Sequence, residues 1–169
     1  SIRRVYAPKA HGAWSLQRAT ALAPLDVFCL FSSVAALLGG GGQANYSAAN
    51  NCLDALGSGR RLRAQAASSV RWGPWADVGM AAGGAINARL QAGGIGLISF
   101  TEGLFAFRAS LRSYSPAVMT LFIVNWGRFL GNMREVPAPL SAFASRRAIT
   151  SAAGAKAEEK VVSMEMILE

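Results

Sequence analysis

The sequence predicts an α/β fold built on a parallel sheet, and three observations carry that prediction. Continuous apolar runs rich in β-branched and aromatic residues recur at 25–32, 67–72 and 117–126, as in strands covered on both faces. Stretches with helical patterning alternate with them, which is the order of a parallel α/β sheet. The 169 residues are 52% hydrophobic and 15% charged, enough for a sizeable core and too apolar for disorder over most of the length. A sheet wound by helices on both faces ordinarily has about five strands or more. Three are legible here, so the sheet reads as incomplete.

Taken in order, residues 5–21 hold good helix formers, with Pro8 suited to a first turn and Pro24 closing the segment. The strand 25–32 (LDVFCLFS) leads to a glycine run, 39–42, read as a flexible loop. A helix over 45–64 has Ala48, Cys52, Leu53, Leu56 and Leu62 available for one face. Arg60, Arg61 and Arg63 at its end complement the helix dipole. The strand 67–72 is broken by Gly73-Pro74, and a Gly/Ala-rich loop fills 77–84. Helices are predicted over 85–92 and 101–113, the second with Thr101 as N-cap, before the strand 117–126. Past Pro139 the composition turns to Ala, Ser, Lys and Glu, as in a linker, and the closing VVSMEMILE suits the first helix of another domain. A first residue that is Ser rather than Met, with a helix under way by Val5, reads as a piece cut from a longer polypeptide.

Several classes are excluded. No apolar run reaches the roughly 18 residues of a membrane span, and SIRRVYAPK has no apolar stretch after its charges to make a signal peptide. Cys29 and Cys52 lie in apolar contexts without metal-ligand spacing, which suits a reducing, cytoplasmic setting. The single histidine, His11, argues against a His-based zinc site, and no metal is expected. Net charge is +8, clustered at Arg3-Arg4, at Arg60, Arg61 and Arg63, and at Arg146-Arg147. Without interleaved aromatics or a known motif these clusters do not suggest nucleic acid. They read as solvated helix faces, with a docking surface for an acidic protein as the second reading. Neither glycine cluster is a nucleotide loop: 39–42 lacks the G-x-G-x-x-G spacing, and 93–96 (GGIG) follows a helix rather than a strand.

The chemistry concentrates in FSSVAALLGGGGQANYSAAN, residues 31–50. Ser33 ends a strand, where open α/β sheets place their ligands. Tyr46 lies 13 positions on, near the start of the next helix, and Asn50 stands one turn further along the same face. Taken singly, each has a plainer use: a strand-end turn, a partly buried aromatic, a helix-face amide. Lys9, too, would be a surface charge on its own.

The longer stretch FSSVAALLGGGGQANYSAANNCLDAL resembles the ketoreductase domain of modular, type I polyketide synthases, a branch of the short-chain dehydrogenase/reductase superfamily. The likeness continues upstream in APKAHGAWSL (7–16) and downstream in SVRWGPWADVGMA (69–81), and covers roughly 5–130. It implies a Rossmann-like, doubly wound parallel sheet, of which 1–137 would be the C-terminal part, incomplete at the N-terminus. Residues 138–160 would then be the linker and 161–169 the start of an acyl carrier domain.

The resemblance also implies a mechanism. Most short-chain reductases carry Tyr-x-x-x-Lys, but here Asn50 holds the lysine's place. In polyketide ketoreductases the lysine comes from the preceding helix, the motif matched by Pro8-Lys9. Lys9, Ser33, Tyr46 and Asn50 thus match the catalytic set. A phenol is a suitable proton donor but a reluctant one near neutral pH, and a neighbouring ammonium favours the phenolate. Tyr46 would be the general acid, helped by Lys9. Ser33 would polarise the substrate carbonyl, and Asn50 would hold a water in the proton relay. The cofactor would be NADPH, contacted by Lys9, Tyr46, Gly73, Pro74 and Trp75, with its main binding loop upstream. Residues 77–82 resemble the start of a mobile lid, with Met80 as apolar contact. Leu38 stands where A-type members carry Trp, which leans towards the B-type.

Expected partners are the missing N-terminal part of the domain, other synthase domains, and an acyl carrier protein bearing a phosphopantetheine-linked β-ketoacyl chain. Alternatives are the ketoreductase of a fatty acid synthase, with the same exchange of Lys and Asn, or a non-catalytic reductase-like brace. Such a brace would have had no reason to keep the tyrosine and lysine.

Overall fold

A computed structural model describes residues 2–76 and 84–144. The chain divides into two compact units. Among the described residues, the first comprises 2–73 and 101–121, and the second 74–76, 84–100 and 122–144.

The first unit holds the sheet. Strands β1 (Cys29–Ser33), β2 (Ser68–Trp72) and β3 (Val118–Leu121) lie in that order, all parallel. Cys29 pairs with Ser68 and Ser33 with Trp72, while Ser69 pairs with Val118 and Trp72 with Leu121. β2 is central and its apolar residues are buried. β1 is shorter than the apolar run predicted, because Leu25 and Phe28 serve the core from outside the ladder. It is also not covered on both faces, since Phe31 is 53% exposed. β3 likewise ends at Leu121 rather than 126. Asn125 begins a helix unforeseen in the sequence, α7 (Trp126–Gly131), by accepting the Arg128 N–H on its side chain at 3.0 Å.

The N-terminal helix begins at Ile2, earlier than predicted. α1 (Ile2–Tyr6), a π-helical turn (Ala7–His11) and α2 (Gly12–Ala19) follow one another without a break. Pro8 is therefore inside the helix and not in its first turn. Its missing N–H and its ring disfavour a regular α-turn. The wider turn accommodates both, closed by the Gly12 N–H donating to Ala7 O. A short helix, α3 (Ala35–Leu38), precedes the glycine loop 39–42.

α4 (Ala44–Arg61) crosses from β1 to β2 and buries a different stripe from the apolar one expected. Ala48 is exposed, Cys52 half-buried and Leu62 89% exposed, beyond the helix end. The buried residues are Ala49, Asn50, Leu53, Asp54, Leu56, Gly57 and Arg60. Leu53 and Leu56 join Ala13, Phe28 and Leu30 in the core. Nor is Arg60 a solvated charge: it is 2% exposed and stacks 4.1 Å from the Phe28 ring centroid. It donates to Ala66 O at 3.0 Å and to the Gln17 side chain. Desolvation pushes its pKa below the ordinary guanidinium value. On the other face of β1, Phe31 meets Trp72 and Phe107 of α6 (Phe100–Ser110), with centroids at 5.4 and 5.9 Å. α6 thus touches the face opposite α4 through Phe107 and leaves Phe31 half open. Thr101 sits within α6 rather than capping it.

In the second unit, α5 (Gly84–Ala92) is followed by a tight turn at Gly94, φ +85°. A Cβ there would meet Phe129 N at 2.8 Å. Leu140 is buried in a 3₁₀ turn (Ala138–Leu140), and Phe143 stacks on Trp126 at 4.0 Å. The packed chain therefore reaches beyond Pro139. No helix of the described residues is long and apolar enough to cross a membrane.

Candidate active site

The site is assembled at the C-terminal end of β1 from three segments of the first unit. The π-helical turn carries Lys9, half-buried, towards the sheet. Its ammonium donates to Asn50 Oδ1 at 2.8 Å and to Phe31 O at 3.2 Å. The same nitrogen lies over the Tyr46 ring, 5.3 Å from the centroid, an attractive cation–π placement.

Asn50 is the hub. It is completely buried, and burial of an amide is tolerated only when its groups are bonded. Its Oδ1 accepts from Lys9, its Nδ2 donates to Tyr46 O at 2.8 Å, and its own carbonyl accepts from Ser32 Oγ at 3.3 Å. One residue thus joins the N-terminal helix, the first turn of α4 and β1, the first two through its amide and the last through its backbone carbonyl. Tyr46 is half-buried, with its N–H donating to Asn45 Oδ1 at 2.9 Å. Ser33, the last residue of β1, is half-buried, and its Oγ accepts from Ala35 N at 3.2 Å.

The remaining predicted residues are more dispersed. Gly73 follows β2 in the first unit and donates to Leu121 O at 2.8 Å. Pro74 and Trp75 belong to the second unit: Pro74 O accepts from Ile98 N at 2.8 Å, and Trp75 forms a parallel bridge with Ile98. Leu38 closes α3, half-buried. Met80 lies outside the described residues. His11 is exposed, its ring 6.2 Å from that of Tyr6.

The sequence reading missed the support around these groups. The Phe31 carbonyl could not be foreseen, because backbone acceptors carry no residue signature. Asp54 could have been found: it stands one turn past Asn50, on the face where a charge should draw attention. It accepts from Ser69 Oγ at 2.6 Å and from Arg71 Nε at 2.8 Å.

Comparison with known proteins agrees with this architecture. Residues 1–77 match the family model described as KR domain. The phthioceranic/hydroxyphthioceranic acid synthase of Mycobacterium tuberculosis (strain ATCC 25618 / H37Rv) is 41% identical over 133 residues, 73% of this chain but 6% of that protein. Polyketide synthase GfsA of Streptomyces halstedii is 40% identical over 156 residues, 91% of this chain and 2% of its own. The chain therefore spans a small part of the curated relatives it matches. Among solved structures, an A1-type ketoreductase superposes with a TM-score of 0.77 at 32% identity, covering 87% of this chain and 32% of its own. PlmKR1, from the first module of phoslactomycin biosynthesis in Streptomyces sp. HK803, gives 0.74 at 36%, covering 84% and 33%. Residues 1–77 thus belong with the KR domain family, and the chain has the Rossmann-like fold of the polyketide synthase ketoreductases it superposes on.

Proposed function

We propose that this chain carries the proton-donating half of a β-ketoreductase that converts a carrier-bound β-ketoacyl thioester to the β-hydroxyacyl product. The observation that carries the reading is the seat of the Lys9 ammonium, between Asn50 Oδ1, Phe31 O and the Tyr46 ring. When bound, NADPH supplies hydride to the carbonyl carbon. The carbonyl oxygen then takes a proton from the Tyr46 phenol, and the Lys9 charge stabilises the phenolate left behind. Ser33, at the strand end, donates a hydrogen bond from its hydroxyl to the same carbonyl and keeps its proton. Asn50 keeps Lys9 in place and holds a water through which the proton is replaced.

The donor set fits such a cofactor. An ammonium has three donors; two of those on Lys9 reach Asn50 and Phe31, and the third suits a ribose hydroxyl. Gly73, Pro74 and Trp75 are the further candidates for cofactor contact, and Leu38 and Met80 for the substrate. Residues 1–137 are proposed as reductase, 138–160 as a linker whose start packs back through Leu140 and Phe143, and 161–169 as the start of a carrier domain, all working in the cytoplasm. The exposed Arg3, Arg4 and Arg63 suit an acidic carrier protein.

Two measurements test this. Residues 1–169 alone are expected neither to bind NADPH tightly nor to turn over, and steady reduction of a ketone by them would refute the division of labour. In the complete domain containing this segment, Tyr46→Phe is expected to lower kcat by about 10²–10⁴-fold. An undiminished rate would remove Tyr46 from the chemistry.

A further inference from the structure

α4 presents Tyr46, Asn50 and Asp54 at successive turns, and the last of these is used by nothing described above. Asp54 is 4% exposed, yet both its carboxylate oxygens are engaged from β2. Ser69 Oγ donates to Oδ1 at 2.6 Å and Arg71 Nε to Oδ2 at 2.8 Å. Three residues on, Gly57 brings the helix so close to the strand that a Cβ would stand 3.3 Å from Ser69 Cβ.

The apolar part of the α4 interface, Ala49, Leu53 and Leu56, packs without direction and tolerates small rotations, while Arg60 is bonded to Ala66 and Gln17 near the far end of the helix. Two charge-assisted hydrogen bonds on one carboxylate are directional and do not. We propose that Asp54, held by Ser69 and Arg71, is a positioning residue. It fixes the rotation of α4 on the sheet and so aims Tyr46 and Asn50 at Lys9. The inference rests on the ketoreductase reading.

Positioning and bulk stability can be separated because an ion pair of low exposure is often replaceable by apolar residues without loss of stability. The complete reductase domain would be prepared with Asp54→Asn, with Asp54→Leu/Arg71→Met, and with Tyr46→Phe. Tm, far-UV circular dichroism, and kcat and KM on a small β-ketothioester would be measured for each. Misplacing a reacting group by about 1 Å costs on the order of 100-fold. Asp54→Asn and the apolar pair are therefore expected to lower kcat about 10- to 100-fold with KM within about twofold, including in the apolar pair if its Tm matches the unmodified domain. Wild-type kcat in either variant that folds overturns the proposal, since Asp54 would then contribute stability alone. If the apolar pair fails to fold, the near-isosteric Asp54→Asn decides by itself. Should Tyr46→Phe keep full activity, the ketoreductase reading fails. Should it lose activity while both Asp54 variants keep theirs, only the positioning role fails.

Discussion

At the scale of single residues, the distinctive contact is a lysine and an asparagine meeting from different helices. Asn50 is wholly buried and its amide spans Lys9 and the Tyr46 carbonyl. Removing that amide takes from the Lys9 ammonium one of its two acceptors and leaves the charge half-buried beside an emptied space. Asn50→Ala is accordingly expected to destabilise the fold by about 1–3 kcal/mol, seen as a lower urea midpoint at unchanged slope. An unchanged midpoint would mean that water replaces the amide at no cost. None of this proximity was available from spacing alone. Lys9 is 41 residues from Asn50, and periodicity describes one element at a time. The resemblance named these residues, whereas the residue pattern taken singly offered only a plain use for each.

At the scale of elements, the parallel strands and the major helices were legible because their apolar runs and breakers are strong local signals. The errors share a cause: pattern reading treats apolar positions as inward and polar ones as outward. In α4 that rule selected Ala48, Cys52 and Leu62, whereas the protein buries Asn50, Asp54 and Arg60. Each of these three has partners within the fold, which a linear pattern does not record. The one-turn α3 was too short to register, and the run at 117–126 concealed the change from β3 to α7. Gly57, by contrast, is explained by contact: a Cβ would meet Ser69 Cβ at 3.3 Å and Ala117 O at 3.4 Å. Gly57→Ala gains helix propensity but crowds the strand. The crowding is expected to prevail, at about 1–3 kcal/mol of overpacking, measured by thermal unfolding. A more stable variant would show that the helix moves away freely.

At the scale of the molecule, the two units are not successive segments. The chain leaves the first unit after Gly73, returns at Thr101, and leaves again after Leu121. The family match ends at 77, but the sheet it contains is completed by β3, 41 or more residues further on. A fragment stopped at 77 would keep Lys9, Ser33, Tyr46 and Asn50 while stripping one flank from β2, a strand buried at Ser68, Ser69, Val70 and Trp72. Bare strand flanks recruit other chains. Residues 1–77 expressed alone are expected to sediment as aggregates, whereas 1–144 should give a cooperative melt. A monodisperse, folded 1–77 would contradict this. The interleaving of the units makes the smallest excisable piece larger than the stretch holding the reactive side chains, so trimming towards a minimal catalyst would destroy the platform before reaching the chemistry.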